Sequence, residues 1–407
     1  MVYALAVVLS GTLNPVLMTG PDALTFNPAQ LAYPERAGLS CRILDFEAEV
    51  VNNSFSLAQY NRYTGAFLDD RAKADLLRAI PASGFCGRGR LEARTAQFGY
   101  GCLAMSVRTT AEFGAALPKD LFELTLRGNE LGRTYRADPL DVGALMLLRT
   151  GIAGATAVGR NLSVGGAVHY LIGLSCFELT EGSAYFLTTP DALISQGRVG
   201  YRTAAGGEGL SFDIGVSHWS DRWRTSLAVL DLSPGVLWED GIEDGLLTFE
   251  LDTVSAYRLF KGEGACAVID RGPGSKFLTP LPVRVNAGVA RVLRENLTGC
   301  LTLRAVMNMH PAALLSVRPA LSVEVWPSSW LGTSLRFSFE TGNGLGLELG
   351  AVAVWRSLVL QVGFEDIGGL IMGARGAGMR ISLGYRGFPA GTKRAKSDVL
   401  RLTPGVN

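Results

Sequence analysis

Apolar and polar residues alternate with a period of two along much of this chain. The segment LDFEAEV at 44–50 places Leu, Phe, Ala and Val on one face and the three acidic residues on the other. The same alternation recurs at 212–217, 335–340 and 358–365. Successive side chains of a β-strand point to opposite faces of the sheet. The pattern therefore predicts an all-β protein whose strands carry one apolar and one polar face.

Strand length separates two kinds of all-β protein that share this alternation. A soluble β-sandwich also alternates, with its polar face toward water, but its strands are mostly about 5 to 6 residues long. Many predicted strands here are about 9 to 12 residues long, the length that a tilted strand needs to cross a bilayer. Short turns are expected at Asn52-Asn53, 340–346 and Arg356-Ser357, in the order of up-and-down hairpins.

Aromatic and charged residues also favour a membrane barrel. Tryptophans stand at predicted strand ends, namely Trp219, Trp223, Trp326, Trp330 and Trp355, where an interfacial girdle requires amphipathic rings. An Arg or Lys that faces lipid near the midplane costs roughly 2–4 kcal/mol, and the strand charges keep to one face. We predict a transmembrane antiparallel up-and-down β-barrel of about 14 strands, within a range of roughly 12–16, because a closed sheet leaves no edge unpaired in lipid.

Composition excludes several other classes of protein. Charged residues make up 18% of the chain, below the roughly 25% of soluble domains, and the mean hydropathy is +0.22. No stretch approaches the ~20 consecutive apolar residues of a membrane helix. A net charge of +1 provides no basic stripe, so we expect no nucleic-acid partner.

Two segments break the strand pattern and are predicted to be helical insertions. They are 69–80 (DDRAKADLLRAI), which Pro81 would end, and 119–131 (KDLFELTLRGNEL). Counted along the chain, they follow the second and the fourth strand. Parity then places both helices at the end where the N-terminus enters, which is the periplasmic end of an outer-membrane barrel.

The two ends of the chain differ from the predicted barrel region, 21–388. Residues 1–20 contain an apolar run typical of a secretory signal peptide, without the positive residues that should precede it. We expect export, with a truncated start or a buried segment as the alternatives. Residues 389–407 form a polar C-terminal tail.

Several motifs resemble known families of outer-membrane barrels. Asn27-Pro28-Ala29 resembles the NPA element of FadL-like and PorV-like barrels, whose N-terminal segment lies within or beneath the barrel. The chain also resembles an uncharacterised bacterial family of outer-membrane barrels, a domain of unknown function. This resemblance lies at 53–57, 64–68, 80–81, 117–124 and 128–133. The resemblance covers nearly the whole chain from Asn27 onward. It implies a plug-like segment at 26–37.

No catalytic or metal-binding constellation stands out. His169, His218 and His310 lie far apart in sequence, and none has a plausible Ser or Cys partner nearby. The six cysteines are isolated, without a CxxC pair, so free thiols and one or two incidental disulfides both fit. We expect no enzyme activity, no cofactor and no metal.

The polar faces of the strands supply the candidate lumen residues. Their mixed signs favour a salt-bridged, largely closed interior over a selective ion path. Together with the plug residues Asn27, Pro28 and Ala29, the candidates are Asp45, Glu47, Glu49, Arg284, Glu324, Arg336, Glu340, Glu348, Glu365 and Arg380.

Three functions are compatible with these features. The first, implied by the resemblance, is a FadL-like conduit for small hydrophobic molecules with a plugged lumen in the outer membrane of a Gram-negative-type bacterium. The second is a PorV-like barrel that does not transport but serves as an anchor or accessory in secretion or surface attachment. The third is a soluble all-β binding protein. Expected partners are outer-membrane lipid, the barrel-assembly machinery, and either a hydrophobic small molecule or a surface or secretion protein.

Overall fold

A computed structural model describes residues 13–34, 38–138, 140–190, 192–254, 265–307, 316–340, 344–365 and 375–387. The predicted tail at 389–407 lies outside the described residues, as do residues 1–12 of the signal-like segment, residues 35–37 of the plug-like segment, and His310.

The described residues form 20 β-strands in one sheet. The strands are β1 (Leu39–Asn52), β2 (Phe85–Tyr100), β3 (Leu103–Leu117), β4 (Thr134–Arg136), β5 (Asp141–Val158), β6 (Leu162–Thr188), β7 (Leu193–Ala204), β8 (Gly207–Trp219), β9 (Trp223–Leu232), β10 (Val236–Trp238), β11 (Glu243–Val254), β12 (Ala265–Pro273), β13 (Phe277–Thr279), β14 (Val283–Arg294), β15 (Leu297–Met307), β16 (Ser316–Val325), β17 (Leu331–Glu340), β18 (Gly344–Trp355), β19 (Leu358–Glu365) and β20 (Gly376–Arg386).

Fourteen of these strands form a closed antiparallel barrel, namely β1, β2, β3, β5, β6, β8, β9 and β14 to β20. The barrel closes where β20 pairs with β1, with Ile381 opposite Phe46. On its other side, Phe46 lies opposite Ala93 of β2. The predicted fold class and strand number are confirmed.

The other six strands extend the sheet at one end of the barrel. β6 is 27 residues long and belongs to both parts. Its residues 162–173 pair with β8 in the barrel, whereas residues 176–188 pair with β7 outside it. β11 and β12 continue this extension beyond β7. The short strand β4 pairs with the end of β6, and β10 pairs with β8 and β13.

The two ends of the barrel carry different connections. At the loop end, the connections that the structure describes in full contain helices or the strand extension. At the other, short-turn end, they are joined by tight turns at 101–102, 159–161, 220–222, 295–296, 326–330 and 356–357. The predicted turn at Arg356-Ser357 is of this kind, and Arg356 has a φ of 57°.

Three α-helices are described, all at the loop end: α1 (Leu57–Tyr63), α2 (Asp70–Ala79) and α3 (Lys119–Arg127). The Asp69 side chain caps α2 by accepting a hydrogen bond from the backbone N of Ala72 at 2.7 Å. α2 and α3 lie within the predicted segments 69–80 and 119–131. α1 was not predicted. No helix in the described ranges is long and apolar enough to cross a membrane.

The predicted side of the helices is wrong. α1 and α2 follow the first barrel strand and α3 follows the third, so all three lie opposite the end where the N-terminal segment enters. The miscount arose at Asn52-Asn53, which is not a hairpin turn. The side-chain oxygen of Asn52 instead accepts hydrogen bonds from the backbone N of Ser54 and of Phe55, at 2.9 and 2.5 Å, and directs the chain into α1.

The two faces of the barrel wall differ as the alternation predicts. Outward-facing side chains such as Ile152, which is 70% exposed, and Phe113 are apolar. Inward-facing Asp45 and Glu92 are buried. Lumen chemistry is therefore set by every second residue of each strand.

Candidate functional site

The N-terminal segment lies inside the barrel as a plug, here defined as residues 13–34. It contains three short 3-10 helices at Pro15–Leu17, Gly20–Thr25 and Pro28–Ala32. Asn14 and Asn27 precede two of them, and each side-chain oxygen accepts a hydrogen bond from the backbone N two residues on. Proline follows each asparagine and fixes the first helical residue. Residues 13–20 of the predicted signal-like segment are part of this plug.

Asn27 fastens the plug to the barrel wall. Its Nδ2 donates to Val216 O at 2.9 Å, to Ser217 Oγ at 3.0 Å and to Ser226 Oγ at 2.6 Å. Its Oδ1 accepts from the backbone N of Ala29 at 2.8 Å. A buried amide needs such partners, since an unpaired one costs about 1–3 kcal/mol.

Glycines in the wall let the plug backbone approach closely. A Cβ added at Gly165 of β6 would lie 2.6 Å from Ala29 N and 2.7 Å from Pro28 C. One added at Gly215 of β8 would overlap the Asn27 side chain. The structure thus places Asn27, Pro28 and Ala29 against the inner wall, where larger residues on the strands would exclude them.

Apolar packing completes the seat of the plug. Leu31 is fully buried and packs with Ala104, Ala153 and Ala167 on three neighbouring strands. Small wall residues leave room for this leucine, and its burial stabilises the bound position of the plug by about 1.5–3 kcal/mol.

An ion pair joins the plug to β1. Arg42 Nε donates to Asp22 Oδ1 at 2.7 Å, and Arg42 Nη2 donates to Gln361 Oε1 at 3.0 Å. Burial would raise the pKa of the Asp22 carboxyl, but the neighbouring Arg42 guanidinium holds this pKa below its ordinary value of 3.8. Asp22 therefore stays ionised inside the barrel.

Arg94 of β2 organises a first cluster of charges in the lumen. Its Nη1 donates to Asp45 at 2.9 Å, its Nη2 donates to Glu47 at 3.1 Å, and its Nε lies 2.6 Å from Glu92. Arg380 donates to both oxygens of Asp45, at 3.1 and 2.8 Å. Such shared carboxylates offset the cost of burying the charges.

Arg318 of β16 organises a second cluster. Its Nη2 donates to Glu348 at 2.7 Å, and its Nη1 lies 3.6 Å from Glu49 and 3.9 Å from Glu365. Arg336 donates to the other oxygen of Glu348 at 3.1 Å. Four of the predicted lumen residues thus gather around an arginine that was not predicted.

Two further predicted residues accept hydrogen bonds elsewhere in the lumen. Glu324 accepts from the backbone N of Asn14 at 3.1 Å and from Trp326 Nε1 at 2.8 Å. Glu340 accepts from Ser316 Oγ at 2.7 Å. Glu324 therefore contacts the plug itself.

Arg284 belongs to a network built on Asp231. Arg149 and Arg284 both donate to the Asp231 carboxylate. Asp231 has a φ of 61°, a conformation that Asp tolerates better than most residues, and its backbone N donates to Asp213 Oδ1 at 2.8 Å. The other oxygen of Asp213 lies 2.8 Å from His169 Nε2.

All ten predicted lumen charges lie on inward faces of the strands, but the residues that gather them were missed. Arg94 and Arg318 are the main examples. The signal for Arg94 was present in CGRGRLEAR at 86–94, where a charged residue occupies every second position from Arg88 onward.

A cavity of about 370 Å³ occupies the half of the lumen at the loop end. Part of its wall is apolar and includes Leu145, Leu147 and Leu281, packed with the buried Trp238. Another part carries seven arginines, namely Arg88, Arg90, Arg108, Arg149, Arg284, Arg304 and Arg318.

Arg304 differs from the other cavity arginines. Within the described ranges, its guanidinium has no hydrogen-bond or ion-pair partner. The cavity therefore combines apolar surface with an uncompensated donor group, which is the composition of a small-molecule pocket.

Potential metal ligands and thiols are scattered among the described residues. The described residues contain no cluster of His, Cys, Asp and Glu that could hold a metal ion. Cys41, Cys86, Cys102, Cys176 and Cys300 are free thiols, and the side chain of Cys266 lies outside the described part.

Several solved structures are similar to this barrel. The toluene transporter TbuX of Ralstonia pickettii matches with a TM-score of 0.52 and 12% identity, over 93% of this chain and 96% of that chain. The Pseudomonas putida toluene transporter TodX has a TM-score of 0.47 and 11% identity, over 94% and 96%. A Pseudomonas aeruginosa FadL homologue has a TM-score of 0.45 and 10% identity, over 90% and 94%. The likeness to TbuX shows a shared fold.

Sequence comparison gives one family and no curated relative. No curated protein matches this chain. A family match covers 43–205, which contains the segments from 53 to 133 that suggested an uncharacterised family. The predicted resemblance is confirmed over residues 43–205, which match DUF5723, a family of unknown function.

Proposed function

We propose that this protein is an outer-membrane conduit for small, mostly hydrophobic molecules, closed by its N-terminal plug. The observation that carries the proposal is the cavity of about 370 Å³ at the loop end of a lumen that also holds the plug. Ligand pockets are commonly about 300–1,000 Å³ and largely apolar, with a few polar groups that orient the ligand.

The outer wall supports a position in lipid. Large apolar side chains such as Leu44, Met105, Ile152, Leu301 and Phe364 are exposed around its circumference, and a soluble barrel would hide such a surface. Outer-membrane barrels have short periplasmic turns and longer extracellular loops. The short-turn end with the plug would then face the periplasm, and the cavity would face outward.

The cavity chemistry supports a mostly apolar cargo. Its leucine-lined part would bury a small hydrocarbon body, and Arg304 would donate hydrogen bonds to a polar or negatively charged group. The similar barrel TbuX is a toluene transporter, which agrees with an apolar cargo. We propose no enzymatic activity for this chain.

Passage to the short-turn end requires the plug to move. The contacts of Asn27 and Leu31 with the wall hold the plug inside the lumen. Loss of these contacts would open it.

Two measurements test the conduit. In planar bilayers, deletion of residues 1–36 or the change Asn27→Ala should raise conductance above that of the wild type. In calorimetry with toluene and benzoate as probes, Ala116→Trp should abolish binding, because Ala116 lines the cavity. Ala111→Trp, five residues earlier on the outward face of β3, is the matched control. Unchanged conductance together with wild-type binding by Ala116→Trp would contradict the proposal.

A non-transport barrel that anchors a surface or secretion protein is the second candidate. The extension β7, β11 and β12 favours it, since Val268 and Ile269 on β12 are both more than half exposed although they point to opposite faces. Replacing 243–273 by a short flexible loop separates the two functions. A conduit should keep its probe binding, whereas an anchor should lose its partner.

A further inference from the structure

Five exposed arginines lie at the short-turn end, and we refer to them as the arginine rim. Within the described part of the chain, none of them forms an ion pair. The only acidic residues in the turns that carry them are Asp221 and Glu295. The arginine rim consists of Arg160, Arg222, Arg291, Arg294 and Arg356.

Two members of the rim lie on tryptophan rings. The Arg291 guanidinium is 4.9 Å from the ring centre of Trp223, and that of Arg356 is 5.3 Å from the ring centre of Trp355. Both rings face outward, with Trp223 43% and Trp355 67% exposed. Tryptophans of this kind mark the headgroup level of a bilayer, so the stacked guanidinium groups lie at the depth of lipid phosphates.

Some exposed cations at the loop end have carboxylate partners, whereas others, such as Arg62 and Arg71, have none among the described residues. Arg78 lies 2.8 Å from Asp75, Arg198 lies 3.4 Å from Glu181, and Lys276 lies close to Glu239. These cations are compensated within the protein. The rim arginines have no such carboxylates and present their charge to the surroundings.

We propose that the arginine rim binds the phosphate headgroups of anionic phospholipids in the leaflet at the short-turn end. Three rim residues, Arg222, Arg291 and Arg294, lie on or next to the adjacent strands β9 and β14, where Arg291 lies directly opposite Trp223. Their planar guanidinium groups match phosphate oxygens, and the indole ring holds one of them in place. The inference rests on the proposed membrane position and is independent of the cargo.

Tryptophan quenching by brominated lipids tests this inference. The full-length protein is reconstituted in phosphatidylcholine vesicles that contain brominated phosphatidylglycerol or, in a parallel sample, brominated phosphatidylcholine. We expect stronger quenching by the brominated phosphatidylglycerol. The combined change Arg222→Gln, Arg291→Gln and Arg294→Gln should remove this preference. Each arginine should contribute about fivefold to the preference for the anionic lipid. Added salt should weaken the preference of the wild type.

Three controls make the result decisive. Arg62→Gln, Arg71→Gln and Arg78→Gln at the loop end remove the same net charge and should leave the preference intact. Arg291→Lys keeps the charge and should retain most of the lipid preference. This variant provides a test of the site if the triple variant does not fold. Folding is checked by the heat-dependent shift of the barrel on gels.

The outcomes distinguish this inference from the proposed function. Absence of quenching by either lipid would refute the membrane position itself. Equal quenching by both lipids, or a preference that survives in a folded triple variant, would overturn the lipid site and leave the conduit untouched.

Discussion

The two halves of the lumen contain similar charged side chains, which differ in their surroundings. In the plug half, Asp45 and Asp22 are buried, and each accepts charged hydrogen bonds from arginine. In the loop half, Arg304 has no partner among the described residues, and open space remains beside it. Other charges that line the cavity are paired, as Arg149 and Arg284 are with Asp231, so the halves differ in the open space and in this one unpartnered arginine. Where the plug ends, the same kind of wall becomes a cavity.

The largest effect is expected from breaking the first charge cluster. Asp45→Asn leaves Arg94 and Arg380 buried without their shared carboxylate. We expect a loss of about 3–5 kcal/mol in the free energy of unfolding, since removal of one partner from a buried ion pair has this cost. Glu112→Gln in the loop half is the control, because Glu112 has only a 3.5 Å contact with Arg90. Unfolding in urea, followed by gel mobility, measures the stability of both variants. Equal losses of unfolding free energy would contradict the difference between the two halves.

Asn27→Ala should loosen the plug. The change removes the hydrogen bonds to the wall and leaves Ser217 and Ser226 without this donor, at an expected cost of about 1–3 kcal/mol. Protease sensitivity of the plug and conductance should both rise. Asn129→Ala at the loop end removes a comparable side-chain hydrogen bond, to Thr188, and should change neither.

The Asp22–Arg42 pair should make the seat of the plug sensitive to acid. Because Arg42 holds the folded-state pKa of Asp22 below 3.8, the pair stabilises fully above that ordinary value and is lost as pH falls through the folded-state pKa. The difference in unfolding free energy between the wild type and Asp22→Asn should therefore be constant from neutral pH to about pH 5 and should shrink below it. A difference that grows toward acid would contradict the assigned ion pair.

The smallest stability effect is expected for Arg304→Gln. This change removes a guanidinium group that has no hydrogen-bond or ion-pair contact with a described residue, so stability should move by no more than about 0.5 kcal/mol, or rise slightly. Binding of benzoate should weaken while binding of toluene is retained. Destabilisation as large as that of Asp45→Asn would mean that the loop half is as tightly paired as the plug half.

Helix formation shows where local sequence was sufficient. Asp69 and Pro81 bracket α2, and both signals are local, so the helix was predicted within one or two residues. The missed helix α1 also has a local signal, the capping box of Ser56 and Gln59. The predicted side of the helices depended on counting strands, and one misread turn at Asn52-Asn53 placed both predicted helices at the wrong end.

The sequence by itself determined the barrel, its approximate strand number and the inward direction of the lumen charges. All three follow from a period of two in side-chain polarity, which each strand carries locally. Only the tertiary structure decided which charges meet, because the partners of Arg94 and Arg318 come from other strands and depend on register. The tertiary structure also decided that residues 13–34 lie in one half of the lumen. Their close contact with the wall requires Gly165 and Gly215, which are far away in sequence, to face the plug.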